Sequence, residues 1–112
     1  MKQVGYTPVL KGTNFKKVFA DSVSISNAII TLLYCKSQTK HVGFAVKSGC
    51  AENSVMRNRL KRLMREAYRH SESVFPDSNS YVFIMKKHYG EFSLSDLYEE
   101  FERLGHNVKD NK

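Results

Sequence analysis

Six basic side chains crowd thirteen consecutive positions of this sequence: Arg57, Arg59, Lys61, Arg62, Arg65 and Arg69, with Glu66 the one acid among them. The residue type narrows the chemistry. A guanidinium group presents a planar fork that donates two parallel hydrogen bonds to a phosphate, and it can also stack on a base. The spacing narrows it further. Arg57, Lys61, Arg65 and Arg69 stand four apart, where like charges on a helix repel by roughly 0.2–0.5 kcal/mol per pair. A solubilising face interleaves acids with bases, whereas a face of one sign suits a polyanion, most often nucleic acid.

Hydrolytic chemistry needs other constellations. Metal-assisted nucleases cluster carboxylates, and general acid–base ribonucleases pair a histidine with a partner. His41, His70, His88 and His106 fall in four separate segments, and Glu99, Glu100 and Glu102 read as the solvated side of an amphipathic helix. Cys35 and Cys50 form neither a disulfide framework nor a metal-spaced pair and read as reduced thiols of the cytosol. No catalytic residue and no metal ligand is expected in this chain.

The whole composition agrees with a charged partner. Lys and Arg number 18 against 11 Asp and Glu, a net charge of +7, and the excess is uneven. Residues 1–90 carry 15 basic and 5 acidic side chains, and residues 91–112 carry 3 and 6. With 41% hydrophobic and 26% charged residues the chain is globular rather than disordered. Its 112 residues suit one RNA-binding domain over 1–112. The longest apolar stretch, Ala28 to Cys35, is far below the roughly 20 residues of a membrane span. The opening Met1-Lys2-Gln3-Val4-Gly5-Tyr6-Thr7-Pro8 has no apolar run of a signal peptide, so a cytoplasmic protein is expected.

The basic cluster needs a helix to hold it. Asn53 or Ser54 offers an N-cap, and the helix runs from Ser54 to about His70. At about 100° per residue, Met56, Leu60, Leu63 and Ala67 make one apolar seam within roughly 40°. Arg57, Asn58, Lys61, Arg62, Arg65 and Arg69 fan across about 100° to 240° opposite it, with Arg59 near one edge. Upstream, Phe15, Val18 and Phe19 at i, i+3 and i+4 predict a short helix after Thr13-Asn14. Val23 to Tyr34 is β-branched and aromatic, a strand that can split in two. Lys36 to Lys40 is a polar turn, after which His41 to Lys47 is expected to close a hairpin with that strand. Ser71 to Ser80 reads as a loop and Tyr81 to Met85 as a short buried strand. Ser93 caps a last helix with Leu94, Leu97, Phe101 and Leu104 on one face and Gly105 as its stop. The class is α+β: about four strands in a mixed, mostly antiparallel sheet packed with helices, in the order α-β-β-(β)-α-β-α.

The run Asn53-Ser54-Val55-Met56-Arg57-Asn58-Arg59-Leu60-Lys61-Arg62-Leu63-Met64-Arg65-Glu66-Ala67-Tyr68-Arg69 closely resembles the signature of the bacterial ribonuclease P protein subunit. Leu10 with Phe15, Val18 and Phe19 is similar to that family's first helix, and Val42-Gly43-Phe44-Ala45-Val46 to the strand before its signature loop. The resemblance implies a small α/β sandwich with a left-handed crossover, against the usual right-handed rule. It implies as partners a catalytic RNA, which performs the cleavage with magnesium bound mainly to the RNA, and precursor tRNA, whose 5′ leader is removed. No further protein and no membrane is implied.

Carried onto this chain, the resemblance makes Arg57, Asn58, Arg59, Lys61, Arg62, Arg65 and Arg69 the RNA-facing set, with Lys47 as an added contact. Phe15 and Phe19, with Tyr34 or its neighbour Leu33, become the candidates for a cleft that grips the leader. Strand alternation puts Ile30, Leu32 and Tyr34 on one face and Ile29, Thr31 and Leu33 on the other without saying which is the cleft. The stretch Lys47-Ser48-Gly49-Cys50-Ala51-Glu52 departs from the family's Ser-Lys-Lys-x-Gly pattern, so residues 48–52 are not carried over. A general RNA-binding module of the same fold would share the charged face, because phosphate contacts carry little sequence information.

Overall fold

In residues 22–108, which the computed structural model describes, the chain runs through Val23–Ser26 (β1), Ile30–Lys36 (β2), Val42–Val46 (β3) and Ser54–His70 (α1). A single 3-10 turn, Glu72–Val74, leads into Asn79–Met85 (β4), and Leu94–Asn107 (α2) follows. The expected first helix, with Phe15 and Phe19, lies outside the described residues. The Val23–Tyr34 stretch does split: the Asn27 side chain accepts from the backbone N–H of Ile29 at 2.9 Å and of Ile30 at 2.8 Å. This Asx turn breaks the apolar run and folds β1 antiparallel onto β2, pairing Val23 with Tyr34 and Ile25 with Leu32.

The expected hairpin between the second and third strands does not form. The sheet order is β1-β2-β4-β3, with β4 antiparallel to β2 and parallel to β3. Composition explains the insertion. β4 reads Asn-Ser-Tyr-Val-Phe-Ile-Met, and Tyr81, Val82, Phe83 and Met85 are all fully buried. A strand apolar on both faces belongs in the interior of a sheet, so it displaces the local pairing of β2 with β3. The parallel β3–α1–β4 unit is the crossover.

One face of the sheet carries the main core. Ile30, Leu32, Tyr34, Val42, Phe44, Tyr81, Phe83 and Met85 meet Leu60, Met64, Ala67 and Tyr68 of α1 and Leu97, Phe101 and Leu104 of α2. Phe83 is its centre, with ring centroids 4.7 Å from Phe101, 5.4 Å from Phe75, 5.6 Å from Tyr68 and 5.7 Å from Phe44. The other face holds a smaller cluster of Cys35 and Val82 with Leu33 and Ile84 against them.

Two readings of the helices change. On α1 the buried stripe is Leu60, Met64, Ala67 and Tyr68, and Met56 and Leu63 are only half-buried. The helix lies over two strands and also against α2, which requires a wider stripe centred on the Leu60-Met64-Tyr68 row. On α2, Leu94 is exposed and Gly105 does not stop the helix, which continues to Asn107. Gly105 instead lets α2 approach the 3-10 turn: a Cβ there would collide with Val74 Cγ2 and stand 3.2 and 3.3 Å from two Phe75 ring carbons. In an open helix Gly→Ala raises stability by about 1 kcal/mol. Here Gly105→Ala is expected to lower it, by the roughly 1–3 kcal/mol of an overpacked core. A urea midpoint that falls with unchanged slope is the expected result, read by equilibrium unfolding.

Candidate nucleic-acid interface

The start of α1 is fixed by Asn53, whose side-chain oxygen accepts the Met56 N–H at 3.0 Å. Before it, Lys47 to Cys50 turns tightly, with the Cys50 N–H donating to the Lys47 carbonyl at 3.0 Å and Gly49 at φ 91°. Lys47 is exposed where β3 ends, and its N–H donates to the Met85 carbonyl at 2.9 Å. That turn leads the chain into the basic helix, which packs against β3 and β4.

Burial of Leu60, Met64, Ala67 and Tyr68 turns the opposite surface of α1 outward. Arg57, Asn58, Arg59, Arg62, Arg65 and Arg69 are exposed, and Lys61 is half-buried. Two of the arginines rest on aromatic rings. On one flank the Arg65 guanidinium lies over Phe44 of β3, 5.6 Å from the ring centroid. On the other, Arg59 lies over Tyr89, in the connection from β4 to α2, at 5.2 Å. Such contacts hold a cation in place without neutralising it.

Neutralisation is what α1 lacks. Among the described residues, none of its six basic side chains forms an ion pair. Arg103 on α2 shows the contrast, bound to Glu99 at 3.0 Å and to Glu100 at 2.9 Å. The single acid of the basic run, Glu66, is turned toward α2. There partial burial and then the Glu66 carboxylate hold the Tyr98 hydroxyl above its usual pKa. A row of unpaired guanidinium groups on one helix, two of them seated on rings, can bind phosphates spaced along a nucleic-acid backbone.

The other expected site residues separate. Tyr34 is 3% exposed within the helix-covered core. Its ring lies with Leu32 and Tyr81 on the sheet face that carries the main core. Leu33 points to the opposite face and is half-buried beside Val82 and Ile84. Phe15 and Phe19 lie outside the described residues. His70 stacks on Tyr98 at 4.3 Å, and no group of three or more His, Cys, Asp or Glu among the described residues is placed to hold a metal ion. No described helix is long and apolar enough to cross a membrane. The sequence reading missed Phe44 and Tyr89 as partners of Arg65 and Arg59.

The fold and this surface define a class: a small α+β protein that displays an unneutralised cationic helix. Comparison with known proteins specifies the member. The Ribonuclease P family model matches residues 7–109. The ribonuclease P protein component of Nitrosococcus oceani is 31% identical over 108 residues, covering 92% of this chain and 90% of the relative. That of Caldanaerobacter subterraneus subsp. tengcongensis is 29% identical over 100 residues, covering 88% and 85%. The solved structure of the ribonuclease P protein from Thermotoga maritima superposes with a TM-score of 0.75 at 24% identity, over 86% of this chain and 92% of that one. The Staphylococcus aureus protein gives a TM-score of 0.72 at 18% identity, over 88% and 91%. The chain belongs to the ribonuclease P protein family. It is a protein component of that ribonucleoprotein endonuclease of tRNA processing, and so has an RNA partner.

The unpaired face sets a measurable salt dependence. If about five phosphates are neutralised, log affinity for the RNA falls against log salt with a slope near −4. Lys61→Ala or Arg65→Ala is expected to flatten that slope by about one unit, read from binding titrations across salt concentrations; an unchanged slope counts against this face.

Proposed function

We propose that this chain grips the catalytic RNA of ribonuclease P through Arg57, Asn58, Arg59, Lys61, Arg62, Arg65 and Arg69, with Lys47 beside them. It also holds the 5′ leader of precursor tRNA, so that the RNA cleaves the leader and leaves the mature tRNA 5′ end. The observation that carries this reading is the absence of any ion pair on α1's basic side chains among the described residues, while Arg103 on α2 has two. The hydrolysis belongs to the RNA with its magnesium. The described residues do not fit a metal site of the protein's own, and no step runs through one. A cytoplasmic setting goes with this partner and substrate.

Leader binding draws on the sheet face turned away from α1 and α2. Leu33 is half-buried there beside Val82 and Ile84, and the family resemblance adds Phe15 and Phe19. Single-stranded bases bind such apolar and aromatic surfaces without sequence preference, at roughly 1–3 kcal/mol per stacked base.

The test is precursor-tRNA cleavage at low magnesium by a bacterial ribonuclease P RNA, with and without the chain. Restored cleavage at the mature 5′ end is expected, together with weaker binding of a precursor whose leader is cut to one or two nucleotides. Phe15→Ala and Leu33→Ala are each expected to reduce that leader dependence. A chain that binds the RNA but restores no cleavage, and is indifferent to leader length, is a general RNA-binding module instead.

A further inference from the structure

We propose that Tyr89 and Arg59 together form a stacking site for one unpaired nucleotide of the RNA held by α1. The inference rests on the RNA-binding reading of α1 and assigns a residue that the basic signature does not contain. Tyr89 is 47% exposed, one of the few large apolar side chains left in solvent among the described residues. It stands on a turn that is fixed without help from the ring. The Glu91 carboxylate accepts the His88 N–H at 2.6 Å, the Glu91 N–H donates to the His88 carbonyl at 3.0 Å, and Gly90 takes φ 95°. The ring is therefore presented rather than buried, and the Arg59 guanidinium already lies over it at 5.2 Å.

The chemistry of these two groups selects the ligand. A tyrosine ring and a guanidinium plane both stack on a base, and the guanidinium can at the same time donate to that nucleotide's phosphate. Bases within a duplex keep their faces covered, so the ligand is an unpaired nucleotide in a loop, bulge or single-stranded junction. Arg59 stands on the flank of α1 away from Phe44 and Arg65, toward the connection between β4 and α2. A strand whose phosphates follow the α1 face thus reaches Tyr89 at one side of the row. Lys87 and His88 directly precede Tyr89 in sequence and supply further donors to a phosphate there.

The experiment compares full-length wild type, Tyr89→Ala, Tyr89→Phe, Arg59→Ala and Arg65→Ala for binding to a bacterial ribonuclease P RNA transcript across a salt series. Tyr89→Ala is expected to weaken binding about tenfold with an unchanged salt slope, because a stacked ring neutralises no phosphate. Tyr89→Phe keeps the ring and is expected to bind as wild type, which also separates stacking from a folding defect. Arg59→Ala is expected to lose both affinity and about one unit of slope. Wild-type binding by Tyr89→Ala, with Arg65→Ala weakened, overturns the stacking site and leaves the α1 reading intact. A Tyr89→Ala slope flattened like that of Arg59→Ala means that the ring only positions the arginine, which also overturns the site. If Arg65→Ala and Tyr89→Ala both bind as wild type, the two readings fall together.

Discussion

Mutual repulsion of the charges on α1 is the constraint around which this protein is arranged. Six cations within thirteen residues disfavour the helix that carries them. Nothing among the described residues neutralises them by ion pairing. The helix is held by its other side, where Leu60, Met64, Ala67 and Tyr68 are buried against the sheet. Leu60 and Met64 alone, each fully buried, contribute on the order of 1.5–3 kcal/mol apiece, several times the repulsion of one charged pair. Apolar anchoring thus outweighs electrostatic cost, and the cations stay available to an external polyanion.

The rest of the fold serves that anchor. β4 lies inside the sheet because it is apolar on both faces, and its Phe83 gathers rings from β3, α1, α2 and the segment after the 3-10 turn. Because β4 separates β2 from β3, β3 becomes an edge strand, where Phe44 meets the Arg65 guanidinium. Lys40 strengthens the opposite end. Its Nζ donates to the carbonyls of Glu72 at 3.2 Å and Phe75 at 2.7 Å and pairs with Asp77 at 3.3 Å, fastening the β2–β3 turn to the segment before β4. Acids are kept off the α1 face: Glu99 and Glu100 engage Arg103, and Glu66 turns toward Tyr98.

Much of this was legible in the residues. The bounds of α1, its Asn53 cap, the Ser93 cap of α2 and the cationic face all follow from local signals of spacing and side-chain type. What escaped was set by tertiary contacts. Strand pairing follows from which strand is apolar on both faces, and adjacency in sequence favoured the wrong partner for β3. The α1 stripe shifted toward Met64 and Tyr68 because the helix packs against α2 as well as the sheet, and a one-dimensional seam carries no such information. Alternation gave Leu33 and Tyr34 opposite faces but could not say which face the helices cover. Tyr89 was invisible as a partner of Arg59, because thirty positions separate them and only the β3–α1–β4 crossover joins them.

On the proposed function, the unpaired face of α1, and not the acidic surface of α2, meets the catalytic RNA. A hydroxyl-radical-generating chelate tethered at Arg62→Cys, and separately at Glu102→Cys, reads this most directly. Both positions are exposed, and the two native cysteines, Cys35 and Cys50, are buried. Localised cleavage of ribonuclease P RNA from position 62, and none from position 102, is the expected result. Cleavage from position 102 with none from position 62 would contradict it.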